Sequence, residues 1–397
     1  MADDRLPPAV RTLIGAGVKL AKSTTSGRVA FAQAHAVVDP AAVPARLRES
    51  LMAELDAAAE AVKPVDGKTI GKVLKDAWGK DAAKVVDDLD LGAPLAVTPG
   101  AQVHRASVDG APVAVKVLRP GVRDAIRSDL GLLETLTAPA GAAFPAVDAG
   151  AVIREVRERI LDELDLEHEA ATQRTVARAL RRHPSITVPN PDTELSHENV
   201  LVSAFVEGPT LADANLSGDA AAGVARTLLR AAMGLPRTTG VLHADIAPQN
   251  VIVTGQDSIA LVDFGASRRV DVPRLDLGLA TLSALRDGDE DAFVTAIVAL
   301  GVFPDADGGA AAFALARAVA GDLLTGPARL DADALLALNA RAEDHLGDAL
   351  RLSRIATLDP QDLWALRMLG TLVATLARLG VTEDWIALAL EAGREGC

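Results

Sequence analysis

The chain has 397 residues, 49% hydrophobic and 24% charged, a balance that suits folded domains with a substantial core rather than a disordered chain. Lys+Arg of 40 against Asp+Glu of 54 leave a formal net charge of −14, which argues against a broad basic face for nucleic acid. The single cysteine, Cys397, excludes an internal disulfide framework and any zinc site built on several thiolates.

The opening "MADDRLPPAV" lacks the basic-then-apolar layout of a secretion signal. Apolar runs such as "TAIVALGVF" are shorter than the roughly 20 residues a bilayer span needs. The expected location is therefore the cytoplasm. Residues 1–63 read as Ala- and Val-rich helix, and after a break at "KPVDGKT" a second helical stretch follows, "IGKVLKDAWGKDAAKVV". Within the first, residues 9–31 carry Arg11, Lys19, Lys22 and Arg28 beside apolar positions. Such a helix suits peripheral contact with anionic lipid on the inner face of a membrane, or plain packing on the protein's own core.

From residue 94 the period changes. In "PLAVTPGAQVHRASVDGAPVAVKVL" two β-rich runs flank "VDGA", and Asp-Gly between such runs predicts a hairpin. Val113 and Val115 alternate with Ala114 and Lys116, so Lys116 faces away from the valines. Residues 120–184 return to helix, with Val152, Val156 and Ile160 recurring on one face. A strand and turn are expected in "ITVPNPDTELSHE" and another strand in "NVLVSAFVEG", after which helices dominate, with "DADGGAAA" and "TGPARLDAD" as turns between them. A helical start, a small sheet and a long helical remainder predict a two-lobed α+β fold.

Residues 243–266, "HADIAPQNVIVTGQDSIALVDFGA", concentrate the chemistry. Two β-type runs flank "GQD", predicting a hairpin with Asn250 at one end and Asp263 at the other, and Asp245 five residues before Asn250. The set suits phosphoryl transfer from ATP: Asp245 positions an attacking hydroxyl, while Asn250 and Asp263 hold Mg2+ against the phosphates through hard oxygen ligands. His243 is expected to pack beneath the loop and hydrogen-bond backbone. The same chemistry asks for a cation on the phosphates and a carboxylate to hold it, which points to Lys116 and to a helix carrying Glu163, Asp165 and Glu169. Glu163 and Glu169 lie six residues apart, about 120° around a helix, so they cannot both meet Lys116 equally. Over the phosphates the chain offers "LAVTPGAQVHRA", from Ala96 through Gly100, Ala101 and Gln102, whose backbone N–H groups are candidate phosphate donors. "LVSAFVEG" reads as the hinge between lobes, where backbone at Ala204, Phe205 and Val206 meets an adenine edge.

These residues resemble the ABC1/UbiB/COQ8 (AarF-like) atypical protein-kinase-like family. The match runs along "GAQVHRASVDGAPVAVKVLRPGVRDAIRSDL", "ILDELDLEHEAATQ", "NVLVSAFVEG" and "VLHADIAPQNVIV…LVDFGA". The resemblance implies a two-lobed kinase-like fold with an N-terminal helical extension at 1–90, an N-lobe with a helical insert at 91–208, and a helical C-lobe carrying the catalytic and metal loops at 209–397. It implies binding of ATP or ADP with Mg2+, and a phosphoryl acceptor that is a lipid or quinone precursor. It makes Lys116 the β3 lysine, Glu169 its carboxylate, Glu163 and Asp165 a Glu-x-Asp pair, Asp245 the catalytic-loop aspartate, and Asn250 and Asp263 the metal ligands. The chain departs from the family in three places. "AFAQ" at 30–33 stands where Lys-x-Gly-Gln is typical, so either the lysine lock is absent or another basic residue, such as Lys22 or Arg28, replaces it; "VTPGAQ" replaces an Ala-rich loop; and "HADIAPQN" drifts toward small-molecule phosphotransferases such as aminoglycoside kinases. Ala244 leaves no arginine there to read a phosphorylated activation loop. Two other readings stand beside the lipid-linked kinase or ATPase: a phosphotransferase for a soluble small molecule, and a nucleotide-binding scaffold without turnover.

Overall fold

Asp109 and Gly110 form the tip on which the first lobe is organised. Both sit in the left-handed region, with φ of 50° and 78°, the backbone that a two-residue type I′ hairpin requires. The computed structural model describes residues 63–98, 100–124, 164–357, 359 and 361–397. Residues 9–31, the Lys22/Arg28 region, the Val152–Ile160 face and Glu163 lie outside the described residues.

After helix α1 (Gly67–Trp78) come strands β1 (Ala96–Val97), β2 (Ala101–Val108) and β3 (Ala111–Leu118), helix α2 (Leu166–Leu180), and strands β4 (Ile186–Thr187), β5 (Pro191–His197) and β6 (Val200–Ala204). The five-stranded sheet runs β1-β2-β3-β6-β5, antiparallel throughout. Its two faces follow from the period of two. Val113, Val115 and Val117, with Val200 and Val202, face α1 and pack on Ile70 and Leu74, both fully buried. Truncating either of those helix residues to alanine costs about 2–5 kcal/mol. The opposite face packs Ala101, Leu118 and Leu201 against Leu166 and Ala170 of α2. Asp66 starts α1 by accepting the Thr69 N–H at 2.9 Å, and Gly79, at φ 67°, ends it.

The second lobe is helical around a core of its own. Helix α3 (Gly218–Thr239) leads to β7 (Val241–Leu242) and to the hairpin β8 (Val251–Val253) and β9 (Ile259–Leu261), whose strands pair antiparallel as the alternation predicts. Next come β10 (Arg268–Arg269), α4 (Val272–Asp287), α5 (Glu290–Ala299), α6 (Ala306–Ala320), β11 (Ala328–Leu330), α7 (Ala332–Asp344) and α8 (Leu346–Leu352). Helix α9 (Asp362–Ala377), β12 (Val381–Glu383) and α10 (Trp385–Glu395) complete it. The β8–β9 hairpin is locked to the lobe connection at Gly208, where φ is 143° and a Cβ would stand 2.4 Å from the Val253 carbonyl oxygen.

Candidate active site

Lys116 enters the junction between the lobes because it shares a sheet face with its cross-strand partners Val103 and Leu201, on the side away from α1. Its ammonium donates to both oxygens of Glu169, at 3.0 and 2.9 Å, and to Asp263 Oδ1 at 2.8 Å. Glu169 lies in the first turn of α2 and is 1% exposed, whereas Asp263 remains 36% exposed. Burial alone would lower the lysine, but the two carboxylates dominate and raise it above its ordinary value, so it stays charged. Burial pushes the Glu169 carboxyl up to about 7 against the pull of Lys116. Asp263 is held below its ordinary value because Lys116 outweighs the effect of burial.

The segment carrying Asp245 and Asn250 lies beside this cluster. Asn250, immediately before β8, donates through Nδ2 to the Asp245 carbonyl at 3.2 Å and to Asp245 Oδ2 at 3.0 Å, which leaves its side-chain oxygen for another partner. Asp245 Oδ1 is buried and accepts no hydrogen bond among the described residues; Arg367 Nη2 of α9 stands 3.6 Å away. Burial raises the Asp245 pKa, with Arg367 opposing. Two non-glycine residues here adopt left-handed backbone, Ala244 and Asp263, each at φ 61°, a conformation that costs of order 1 kcal/mol or more and is held by its surroundings.

His243 supplies part of that hold. Nε2 donates to the Val262 carbonyl at 3.2 Å, and Nδ1 faces the Asp245 N–H at 3.4 Å, so one neutral ring ties the two loops together. Its ring packs on Phe264 with centroids 4.6 Å apart. Burial lowers the histidine to about 4, which keeps it uncharged at neutral pH. This is the backbone-bonding role expected for it.

Other expected positions lie elsewhere. Asp165 caps α2, accepting the N–H groups of Glu167 and His168 at 3.0 and 3.1 Å, and does not join the lysine cluster. Gln102 pairs with Val117, so it points to the α1 face, opposite Lys116. There it is fully buried and hydrogen-bonds the backbone of Val65, close to His104, whose Nδ1 meets the Asp90 carbonyl at 2.8 Å. The Ala101 N–H is taken by Thr98 Oγ1 at 3.0 Å, and Ala96 pairs with Val103 in the sheet. The "PGAQ" text thus opens a strand, and of the three expected phosphate donors Ala101 and Gln102 are committed to the fold, leaving Gly100. At the hinge, Ala204 donates to Asn190 and Phe205 to Pro112, so their N–H groups serve the sheet edge and Val206 is left to offer one to a ligand. Arg367 was not anticipated; its signal is a lone arginine in the apolar run "LWALRMLGTLVATL".

A small twisted sheet over a helical lobe, with a paired lysine above and two acidic loops below, is a protein-kinase-like architecture. The ABC1 atypical kinase-like domain matches residues 57–296, more than half of the chain, and the chain belongs to that family. It is 32% identical over 202 residues to a probable protein kinase UbiB of Vibrio cholerae, covering 48% of this chain and 37% of that one. With AarF domain-containing protein kinase 1 of Gallus gallus it shares 29% identity over 225 residues, 53% of this chain and 43% of the relative. The chain thus spans less than half the length of these relatives. The solved complex of Rv3197 with erythromycin from Mycobacterium tuberculosis superposes with a TM-score of 0.60 over 88% of this chain and 87% of that one, at 22% identity. Among the described residues no helix is long and apolar enough to cross a membrane.

Proposed function

We propose that the chain is an ATP- and magnesium-dependent kinase or ATPase of the ABC1/UbiB type. The observation that carries the reading is the Lys116 ammonium clasped between Glu169 and Asp263, with Asn250 and Asp245 alongside. Hard oxygens suit magnesium, and the free side-chain oxygen of Asn250 and the part-exposed carboxylate of Asp263 form a fitting pair, with waters completing the shell. When bound, the metal neutralises charge on the β- and γ-phosphates.

In this reading Lys116 presents its charge to the α- and β-phosphates, and Glu169 fixes the lysine's position. Asp245 receives the hydrogen of the attacking hydroxyl at Oδ1, the oxygen without a hydrogen bond, while Asn250 and Arg367 hold the carboxylate in place. Gly100 lies nearest the phosphates on the sheet side, and Val206 meets the base. The acceptor is an isoprenoid-quinone or other lipid precursor, a choice supported by the UbiB relatives, with peripheral attachment at the inner membrane face. The test is turnover: slow, magnesium-dependent ATP hydrolysis stimulated by liposomes is expected. Hydrolysis indifferent to liposomes together with transfer to a soluble hydroxyl compound would contradict the lipid assignment, and absence of nucleotide binding would contradict the whole reading.

A further inference from the structure

The loop that closes β1 on β2 has nearly all of its backbone committed. The Thr98 N–H donates to the Ala101 carbonyl at 2.8 Å, and Thr98 Oγ1 accepts the Ala101 N–H at 3.0 Å. The carbonyls of Thr98 and Gly100 both turn to a single residue, Arg119, which follows the last residue of β3. Its guanidinium Nη1 donates to the Thr98 carbonyl at 3.2 Å, and its own N–H donates to the Gly100 carbonyl at 2.9 Å. Among the described residues of the loop, the Gly100 N–H is the backbone donor left for a ligand.

The same guanidinium has a second anchor. Nη2 donates to the Lys63 carbonyl at 2.9 Å, on the segment that enters α1, and two residues further on Gln102 bonds both the N–H and the carbonyl of Val65. Held at Lys63, the planar fork of Arg119 can fix the Thr98 carbonyl at a set angle, which the single ammonium of a lysine could not. The direction of that carbonyl matters electrostatically. A loop of this kind serves an anion by presenting N–H groups, and a carbonyl set free to swing into the site would present negative charge instead.

We propose that Arg119 is a positioning residue for the nucleotide's phosphates: it holds the Thr98 and Gly100 carbonyls so that the Gly100 N–H is what the loop presents to them. The inference rests on the nucleotide reading above and extends it, by naming the residue that sets the phosphate loop. Lys116, three residues earlier, brings charge to the phosphates. Arg119 shapes the loop and acts through it, with its guanidinium spent on the carbonyls of Thr98 and Lys63.

The test is titration of ADP with magnesium, and separately of adenosine, into the full chain as wild type, Arg119→Met and Arg119→Lys. Both variants should bind ADP about tenfold more weakly, the scale of one hydrogen bond from a charged donor, and adenosine within about twofold of wild type, since adenosine has no phosphate to place. Without any nucleotide, hydrogen exchange of the Ala101 amide should be faster in both. Thr98→Val, which removes the hydroxyl that holds the Ala101 N–H, should show the same selective loss and stands in should Arg119→Met fold poorly. Equal loss of ADP and adenosine would mean general loosening of the lobe and would overturn the proposal. So would full recovery in Arg119→Lys, where a bare positive charge would suffice, or exchange at Ala101 that does not change. Variants that bind ADP like a binding-competent wild type would defeat this inference alone, whereas a wild type that takes up neither ligand would defeat the nucleotide reading and this inference with it.

Discussion

At the lobe junction, Lys116 lies within 3.0 Å of Glu169 and Asp263, and Asp245 is held by Asn250 and faced by Arg367. On the other side of α9 the neighbouring side chains are leucine, methionine and tryptophan, packed between helices. The junction concentrates charge that burial makes costly, so each group depends on its neighbour. The helical lobe spreads its stability over many apolar contacts, so single changes there are buffered. Substitutions in the two regions should therefore behave differently.

The largest effect is expected at Asp245. Asp245→Asn should leave nucleotide affinity within a few-fold of wild type and lower turnover by about 10²–10⁴-fold, the range for losing a general base. Single-turnover kinetics beside a binding titration separate the two quantities. Normal turnover in this variant would remove Asp245 from the chemistry.

Lys116→Met should cost about 3–5 kcal/mol of stability by leaving Glu169 as an uncompensated buried charge. The loss should be greater at pH 8 than at pH 6. Glu169 titrates at about 7 with its lysine present, and without it holds a proton more readily, so acid relieves the strain. Adding Glu169→Gln should restore much of the stability, which denaturant unfolding of the three variants at both pH values would show. An additive double variant would mean that the pair is not coupled.

His243 contributes a pH dependence of the opposite sign. Its folded pKa of about 4 lies below the ordinary 6.5, so the folded state binds fewer protons than the unfolded one between those values. Stability is fully present above pH 6.5 and should fall by about 3 kcal/mol as pH drops toward 4. In His243→Gln this slope should flatten. The smallest effect is expected at the β2–β3 tip, where Gly110→Ala should cost about 1 kcal/mol because φ of 78° suits glycine alone.

The same contrast explains what could be read from the chain. The Asp-Gly hairpin and the strand bearing Lys116 are local signals, fixed by turn chemistry and by a period of two. The hairpin between Asn250 and Asp263 was legible for the same reason. Helical spacing allowed at most one of Glu163 and Glu169 to meet the lysine but did not show how α2 rotates against the sheet, so the lysine's partner came from the family resemblance. The Gln102 backbone was read as part of a phosphate loop because the text "TPGAQ" reads as a loop, whereas the strand already begins at Ala101 and Gln102 is paired there with Val97 and Val117. Arg367 was invisible for a different reason. Its place depends on elements distant in sequence meeting in space, and a lone arginine leaves no periodic trace.

The central claim is that Asp263 and Asn250 gather a divalent ion onto a nucleotide opposite Lys116. Isothermal titration of ADP into the wild-type chain and the Asp263→Asn variant, each with and without magnesium, tests it most directly. Magnesium-dependent binding to the wild type and its loss in the variant are expected, together with a lower thermal midpoint because Lys116 loses one of its two carboxylate partners. Binding of equal strength in both proteins, or no heat from the wild type with the metal present, would contradict it.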